Sequence, residues 1–169
     1  LGEDWKSGKP LDDSAWRLCQ GSPGGVGFET GAGYQALITL DVQTQMYGAG
    51  RNNTCYIRVP FTVAADTLAD VNELTLNVRY DDAFVAYLNG REIARRNFTG
   101  TPVWNSRAAS SREASVGDVD EAIDVTEFLH DLKPGANLLA VHGMNSSSTS
   151  SDFLITVSLD AVVTEAQNP

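Results

Sequence analysis

The sequence predicts an all-β fold, an antiparallel β-sandwich of the jelly-roll kind with one short helix. Three observations carry this. Residues 73–80, Glu-Leu-Thr-Leu-Asn-Val-Arg-Tyr, alternate apolar and polar side chains strictly. A period of two over that length belongs to a half-buried strand. Residues 83–88, Ala-Phe-Val-Ala-Tyr-Leu, are apolar at every position, as a strand covered on both faces must be. Between them and the charged run 91–96 stands Asn89-Gly90, which tolerates the positive φ angles of a tight hairpin.

The other elements follow along the chain. Cys55–Val63 reads as a strand, with Pro60 placing it at a sheet edge or a bulge, because proline donates no ladder hydrogen bond. Arg91–Arg96 reads as an edge strand whose charges discourage a further partner. Asp81-Asp82 reads as a turn. Asn137–Gly143 and Asp152–Asp160 complete the strands, the last turning Phe153, Ile155, Val157 and Leu159 to one side. The short helix is expected from Asp124, with Asp124 and Glu127 as a capping box. Val125, Phe128, Leu129 and Leu132 form its apolar stripe, and Lys133-Pro134-Gly135 ends it. Residues 21–33 are rich in glycine and read as a loop region, and 41–54, 97–118 and 145–151 read as further long loops. Long loops on a rigid sheet are where function concentrates.

A length of 169 residues suits one domain. It is read as a single module with its core at about 12–163, part of a longer multimodular protein. The net charge of −10 opposes phosphate backbones and anionic membranes, so nucleic acid and membrane are not expected partners. No apolar run approaches the length of a membrane span. The wealth of Asn, Ser, Thr and Gly points to a secreted or extracellular setting. There Cys19 and Cys55 either pair, closing a loop of about 35 residues worth roughly 3–4 kcal/mol of chain entropy, or remain two buried thiols.

No catalytic constellation is legible, and the chain is expected not to be an enzyme. His130 sits beside Asp131 on the short helix, and His142 lies inside a strand. There is no Gly-x-Ser-x-Gly elbow, and the glycine-rich region lacks the Gly-Lys-Ser/Thr of a phosphate loop. Two acidic groups are candidate calcium sites. Asp118, Asp120, Glu121 and Asp124 crowd one stretch without the spacing of an EF-hand. Asp12, Asp13 and Asp152 are candidate metal ligands for a structural calcium ion if the chain ends meet. For both groups the alternative is an ordinary turn or cap. Three Asn-x-Ser/Thr triplets begin at Asn52, Asn97 and Asn145.

Binding is the remaining class. A pyranose presents an apolar face for an aromatic ring and hydroxyls for planar polar side chains. Trp104, with Asn105 and Arg107 beside it, lies in one long loop; Tyr47, Arg51 and Asn52 lie in another. These six are the candidate ligand-binding residues. Trp16, by contrast, reads as a cover over the end of the sandwich.

Several stretches together carry a resemblance. They include Asp12-Asp-Ser-Ala-Trp16, Tyr56-Ile-Arg-Val-Pro-Phe61, Arg79-Tyr-Asp-Asp82, Val85-Ala-Tyr-Leu-Asn-Gly90, Gly135-Ala-Asn-Leu-Leu-Ala-Val141 and Ser151-Asp-Phe-Leu154. The chain resembles the galactose-binding-like jelly-roll modules of large secreted bacterial proteins, which sit beside glycoside hydrolases and other secreted enzymes. Its Tyr-Asp-Asp and Tyr-Leu-Asn-Gly elements are also similar to the sugar-binding jelly roll of β-galactosidases. The resemblance implies a carbohydrate-binding accessory module that holds a linked catalytic domain near polysaccharide or oligosaccharide. The alternative is a structural spacer or protein-interaction module with no glycan site. Calcium between the chain ends is common in the wider fold.

Overall fold

The computed structural model describes residues 2–114 and 119–164. Among them nine strands run in order: β1 (Gly25–Glu29), β2 (Ile38–Asp41), β3 (Thr54–Val63), β4 (Val71–Asp81), β5 (Ala83–Leu88), β6 (Arg91–Arg96), β7 (Glu121–Asp124), β8 (Gly135–Met144) and β9 (Asp152–Val163). They form two sheets, β2-β1-β9-β4-β7 and β3-β8-β5-β6. Every pairing is antiparallel except that of β1 with β2. The chain changes sheet at most connections, so consecutive strands face each other across the core. The expected all-β sandwich is the observed architecture.

The alternation read in residues 73–80 is the burial pattern of β4: Leu74, Leu76, Val78 and Tyr80 are buried and the positions between them less so. These four meet Phe84, Ala86 and Leu88 of β5, Leu139 and Val141 of β8, and Phe153 and Ile155 of β9 in one cluster. Each large side chain so buried contributes about 1.5–3 kcal/mol of transfer free energy. The other face of β5 carries Ala83, Val85 and Tyr87, which pack in a second cluster with Leu138, Ala140 and Trp5. Trp5 belongs to a 3-10 turn, Asp4–Lys6, laid over the outer face of the four-stranded sheet. Its ring meets Tyr87 edge-on at 5.7 Å and Tyr56 at 4.5 Å. This cover is why residues 83–88 are apolar throughout.

Pro60 lies in β3 and the charged run lies in β6, and both strands are edges of their sheet. Asn89 and Gly90 join β5 to β6 at φ of 51° and 98°. A Cβ added at Gly90 would come within 3.2 Å of the Ser7 backbone. Gly90→Ala is therefore expected to cost about 1–2 kcal/mol through left-handed strain and contact. A thermal melt should fall by a few degrees; an unchanged melt would contradict the strain argument.

Three expectations are corrected. The glycine-rich region is not all loop, since Gly25 and Gly27 are strand residues of β1. A Cβ at Gly27 would lie 2.1 Å from the Phe153 carbonyl oxygen, so glycine is what lets β1 seat against β9. Asp81-Asp82 does not turn within one sheet; it carries the chain from β4 in one sheet to β5 in the other. The single helix is replaced by short turns, three of 3-10 type and the α-helical α1 (Gln43–Met46) and α2 (Ala65–Ala69). The helix expected after Asp124 is the 3-10 turn Thr126–Asp131, entered through an Asp124 carboxylate that accepts the Thr126 N–H at 2.9 Å. Its stripe still faces inward, with Val125 and Leu132 buried.

Candidate functional site

One end of the sandwich gathers the loops. The start of β3, the ends of β4 and β8 and the start of β9 all lie there, because β3 runs antiparallel to β8 and β9 to β4. Hydrogen bonds tie the loops to one another. The Thr54 hydroxyl donates to the Trp104 carbonyl at 2.7 Å. The Asn145 N–H donates to Asn53 O at 2.7 Å, Ala108 N–H to Asn145 O at 3.2 Å and Gly48 N–H to Ser148 O at 2.6 Å. The loops at 47–53, 103–108 and 145–148 thus form one platform.

Trp104 stands on that platform with 69% of its surface exposed. It sits at the tip of a tight turn closed by Ser106 N–H to Val103 O at 3.0 Å and Val103 N–H to Ser106 Oγ at 2.9 Å. Asn105 and Arg107 beside it are exposed, as are Tyr47, Arg51 and Asn52 on the neighbouring loop. Tyr47 leans on Phe28, with ring centroids 5.9 Å apart. The six residues singled out from the sequence therefore lie at one end, on loops joined through Thr54.

Behind the platform lies an acidic cluster that the sequence did not reveal. One carboxylate oxygen each of Asp81, Glu113 and Asp152 lies within 4.8 Å of the others. Asp81 ends β4, Asp152 begins β9, and Glu113 is on the loop that carries Trp104. Asp81 Oδ2 accepts the Ala114 N–H at 3.0 Å, and Asp152 Oδ1 accepts the Ser150 hydroxyl at 3.2 Å. Burial pushes the Asp81 carboxyl up to about 8, with the charges of Asp152, Asp82 and Glu113 adding to the shift and the Ala114 N–H opposing it. Asp152 raises Glu113 in turn, and burial raises Asp152. Next to the cluster, Asp82 is buried and differently served. Its Oδ1 accepts the Arg112 N–H at 2.6 Å and its Oδ2 the Ser146 N–H at 2.7 Å.

Asp152 thus meets Asp81 and Glu113 rather than Asp12 and Asp13. Asp13 pairs with the distant Arg58, and Asp12 accepts the Ser14 N–H at 3.1 Å in a local turn. The acidic stretch near 120 is also committed elsewhere: Asp120 to Arg79 at 3.2 Å, Glu121 to Arg96 at 2.7 Å and Asp124 to the Thr126 N–H at 2.9 Å. Asp118 lies outside the described residues. Of the glycosylation triplets, the one at Asn145 has no room for a glycan, since Asn145 is buried and its amide donates to Asp152 O at 2.7 Å.

Cys19 and Cys55 are both free thiols. They line one apolar cleft of about 610 Å³ between the sheets, with Trp16, Val26, Leu40, Met46, Ile57 and Val157. Burial there pushes the Cys55 thiol up to about 12. The two histidines are well separated. His142 is buried beneath Trp5 and Tyr56, and His130 lies exposed beside Arg91.

No family model matches the chain, and no curated protein does. Among solved structures it is similar to a β-glucuronidase of an uncultured Clostridium species, at 22% identity over 85% of this chain and 18% of that one, TM-score 0.42. It is similar to a β-glycosidase from Bacteroides vulgatus, at 16% identity over 90% of this chain and 18% of that one, TM-score 0.42. A β-D-mannosidase from Dictyoglomus thermophilum matches at 19% identity over 55% of this chain and 9% of that one, TM-score 0.35. The chain thus spans less than a fifth of each of these enzymes.

Proposed function

We propose that this domain is a non-catalytic accessory module that binds a glycan at its loop end, with Trp104 as the stacking platform. The exposed indole carries the reading. A largely solvated tryptophan forgoes much of the transfer free energy of a large ring, which a covering ligand restores. Asn105, Arg107, Tyr47, Arg51 and Asn52 supply the planar donors and acceptors that read hydroxyl groups. A catalytic domain linked to such a module would be held near polysaccharide in a secreted setting, raising the local concentration of substrate.

The test is Trp104→Ala in an affinity gel or glycan-array experiment. Truncating a stacked indole should cost about 2–3 kcal/mol of binding, by the magnitude of aromatic anchors elsewhere, while the melting temperature stays within a few degrees. Retention that survives the substitution unchanged would remove Trp104 from the site. If the intact domain binds no glycan at all, the spacer or protein-interaction reading takes over.

A further inference from the structure

Three carboxylates that meet within 4.8 Å repel one another unless something positive joins them. Among the described residues none of Asp81, Glu113 and Asp152 forms an ion pair with a lysine or arginine. Arg112 is next in sequence to Glu113, but its guanidinium is turned onto the Tyr80 ring, 4.0 Å from the centroid, and donates to the Tyr80 carbonyl.

Two further atoms point to a missing partner. Asp81 is 0% exposed, and its Oδ1 has no hydrogen-bond partner. Independently of the cluster, Tyr34 is 1% exposed, and its hydroxyl is likewise buried and unpartnered. That side chain packs in one buried cluster with Ala114, next to Glu113, and Leu154, two residues on from Asp152. Buried oxygens are almost always satisfied, and a pair left open around clustered carboxylates marks a place for a ligand. Glu113 is exposed while Asp81 and Asp152 are buried, so the cluster has a solvent side and an inner side.

We propose that Asp81, Glu113 and Asp152 hold one hard divalent cation of calcium's class. Calcium takes six to eight oxygens at flexible geometry, and three carboxylates with water on the exposed side fit that demand. Glu29, opposite Asp152 in the β1–β9 ladder, brings a fourth carboxylate to the neighbourhood. The ion ties the end of β4, the start of β9 and the return stem of the Trp104 loop into one unit. It does so whether or not a glycan binds, so the site stands apart from the reading above.

The test is a thermal melt of the whole protein after chelation and dialysis, with calcium chloride added to about 10 mM, in excess over the weak affinities of extracellular calcium sites. A cation that binds only the folded form should raise the melting temperature by roughly 5–10 °C. Sodium chloride at equal ionic strength should not. Glu113→Gln is the discriminating variant, since Glu113 is exposed and its loss leaves the fold intact. It should melt higher than the wild type without calcium, because one repelling charge is gone, and should gain less than half the wild-type shift with calcium. An unchanged wild-type melt with calcium overturns the proposal. So does a shift that sodium chloride reproduces, or one that Glu113→Gln retains in full.

Discussion

Replacing Asp82 with alanine is expected to lower the melting temperature by about 10 °C. The side chain is buried where β4 passes into β5, and its two oxygens take backbone N–H groups from two different loops, Arg112 and Ser146. Its main chain is held as well: its carbonyl accepts the Asn97 amide at 3.1 Å, and its N–H donates to Met144 O at 3.3 Å. Hydrogen bonds to a carboxylate contribute about 1.5–3 kcal/mol each, and alanine removes both, leaving the half-buried Arg112 N–H without this acceptor and the Ser146 N–H with only Asn145 Oδ1 at 2.9 Å. The expected loss is about 3–5 kcal/mol, which at 2–4 °C per kcal/mol for a domain of this size gives the stated shift. Asp82→Asn keeps one acceptor and should lose roughly half as much. Circular dichroism melts of the three proteins decide the matter. An alanine variant melting within 2 °C of the wild type would show that the loops hold themselves.

The second large effect is on the acid side. His142 is 1% exposed in β8, stacked on Tyr56 with centroids 4.5 Å apart, and its Nε2 has no partner. Burial, helped by the positive charge of Lys6, pushes its pKa down to about 4. The unfolded chain takes this proton near the ordinary value of 6.5, while the folded chain refuses it until about 4. The stabilising contribution is therefore complete above pH 6.5 and lost as pH falls toward 4, an upper figure of about 3 kcal/mol. Asp81 acts in the opposite direction, since a raised carboxyl favours the folded state at low pH and gives that up as pH rises from 3.8 to about 8. The His142→Phe variant separates the two. The wild type should lose stability relative to this variant between pH 7 and pH 4.5, by roughly 2–3 kcal/mol in denaturant titrations. Parallel pH profiles for the two proteins would rule His142 out.

The sequence exposed those parts of the fold whose logic is local. The alternation of β4, the Asn89-Gly90 hairpin and the edge positions of Pro60 and Arg91–Arg96 each rest on neighbours within a few residues. What stayed hidden depends on distant partners. Gly27 looks like a loop glycine until the Phe153 carbonyl is seen pressed against it. Asp81 passes for a turn residue because nothing near it in sequence shows that Glu113 and Asp152 arrive beside it. The glycan candidates are legible in the sequence only as aromatic, amide and arginine residues in long loops. Their meeting at one end needed the antiparallel pairing of β3 with β8 to bring Thr54 beside Asn145. Asp12 and Asp13 read in the sequence as a pair of acids, yet Asp13 serves Arg58 and Asp12 a local turn.

The segment around Trp5 behaves as a seal. It lies over Val85, Tyr87, Leu138 and Ala140, and those side chains belong to strands in the middle of the four-stranded sheet. A version of the protein starting after Lys9 would keep every strand and ladder while uncovering a continuous oily panel on its outside. Such a panel is sticky, and molecules so trimmed would pair or clump through it. The turn around Trp5 therefore shields that panel from copies of the domain, although it adds no strand to either sheet.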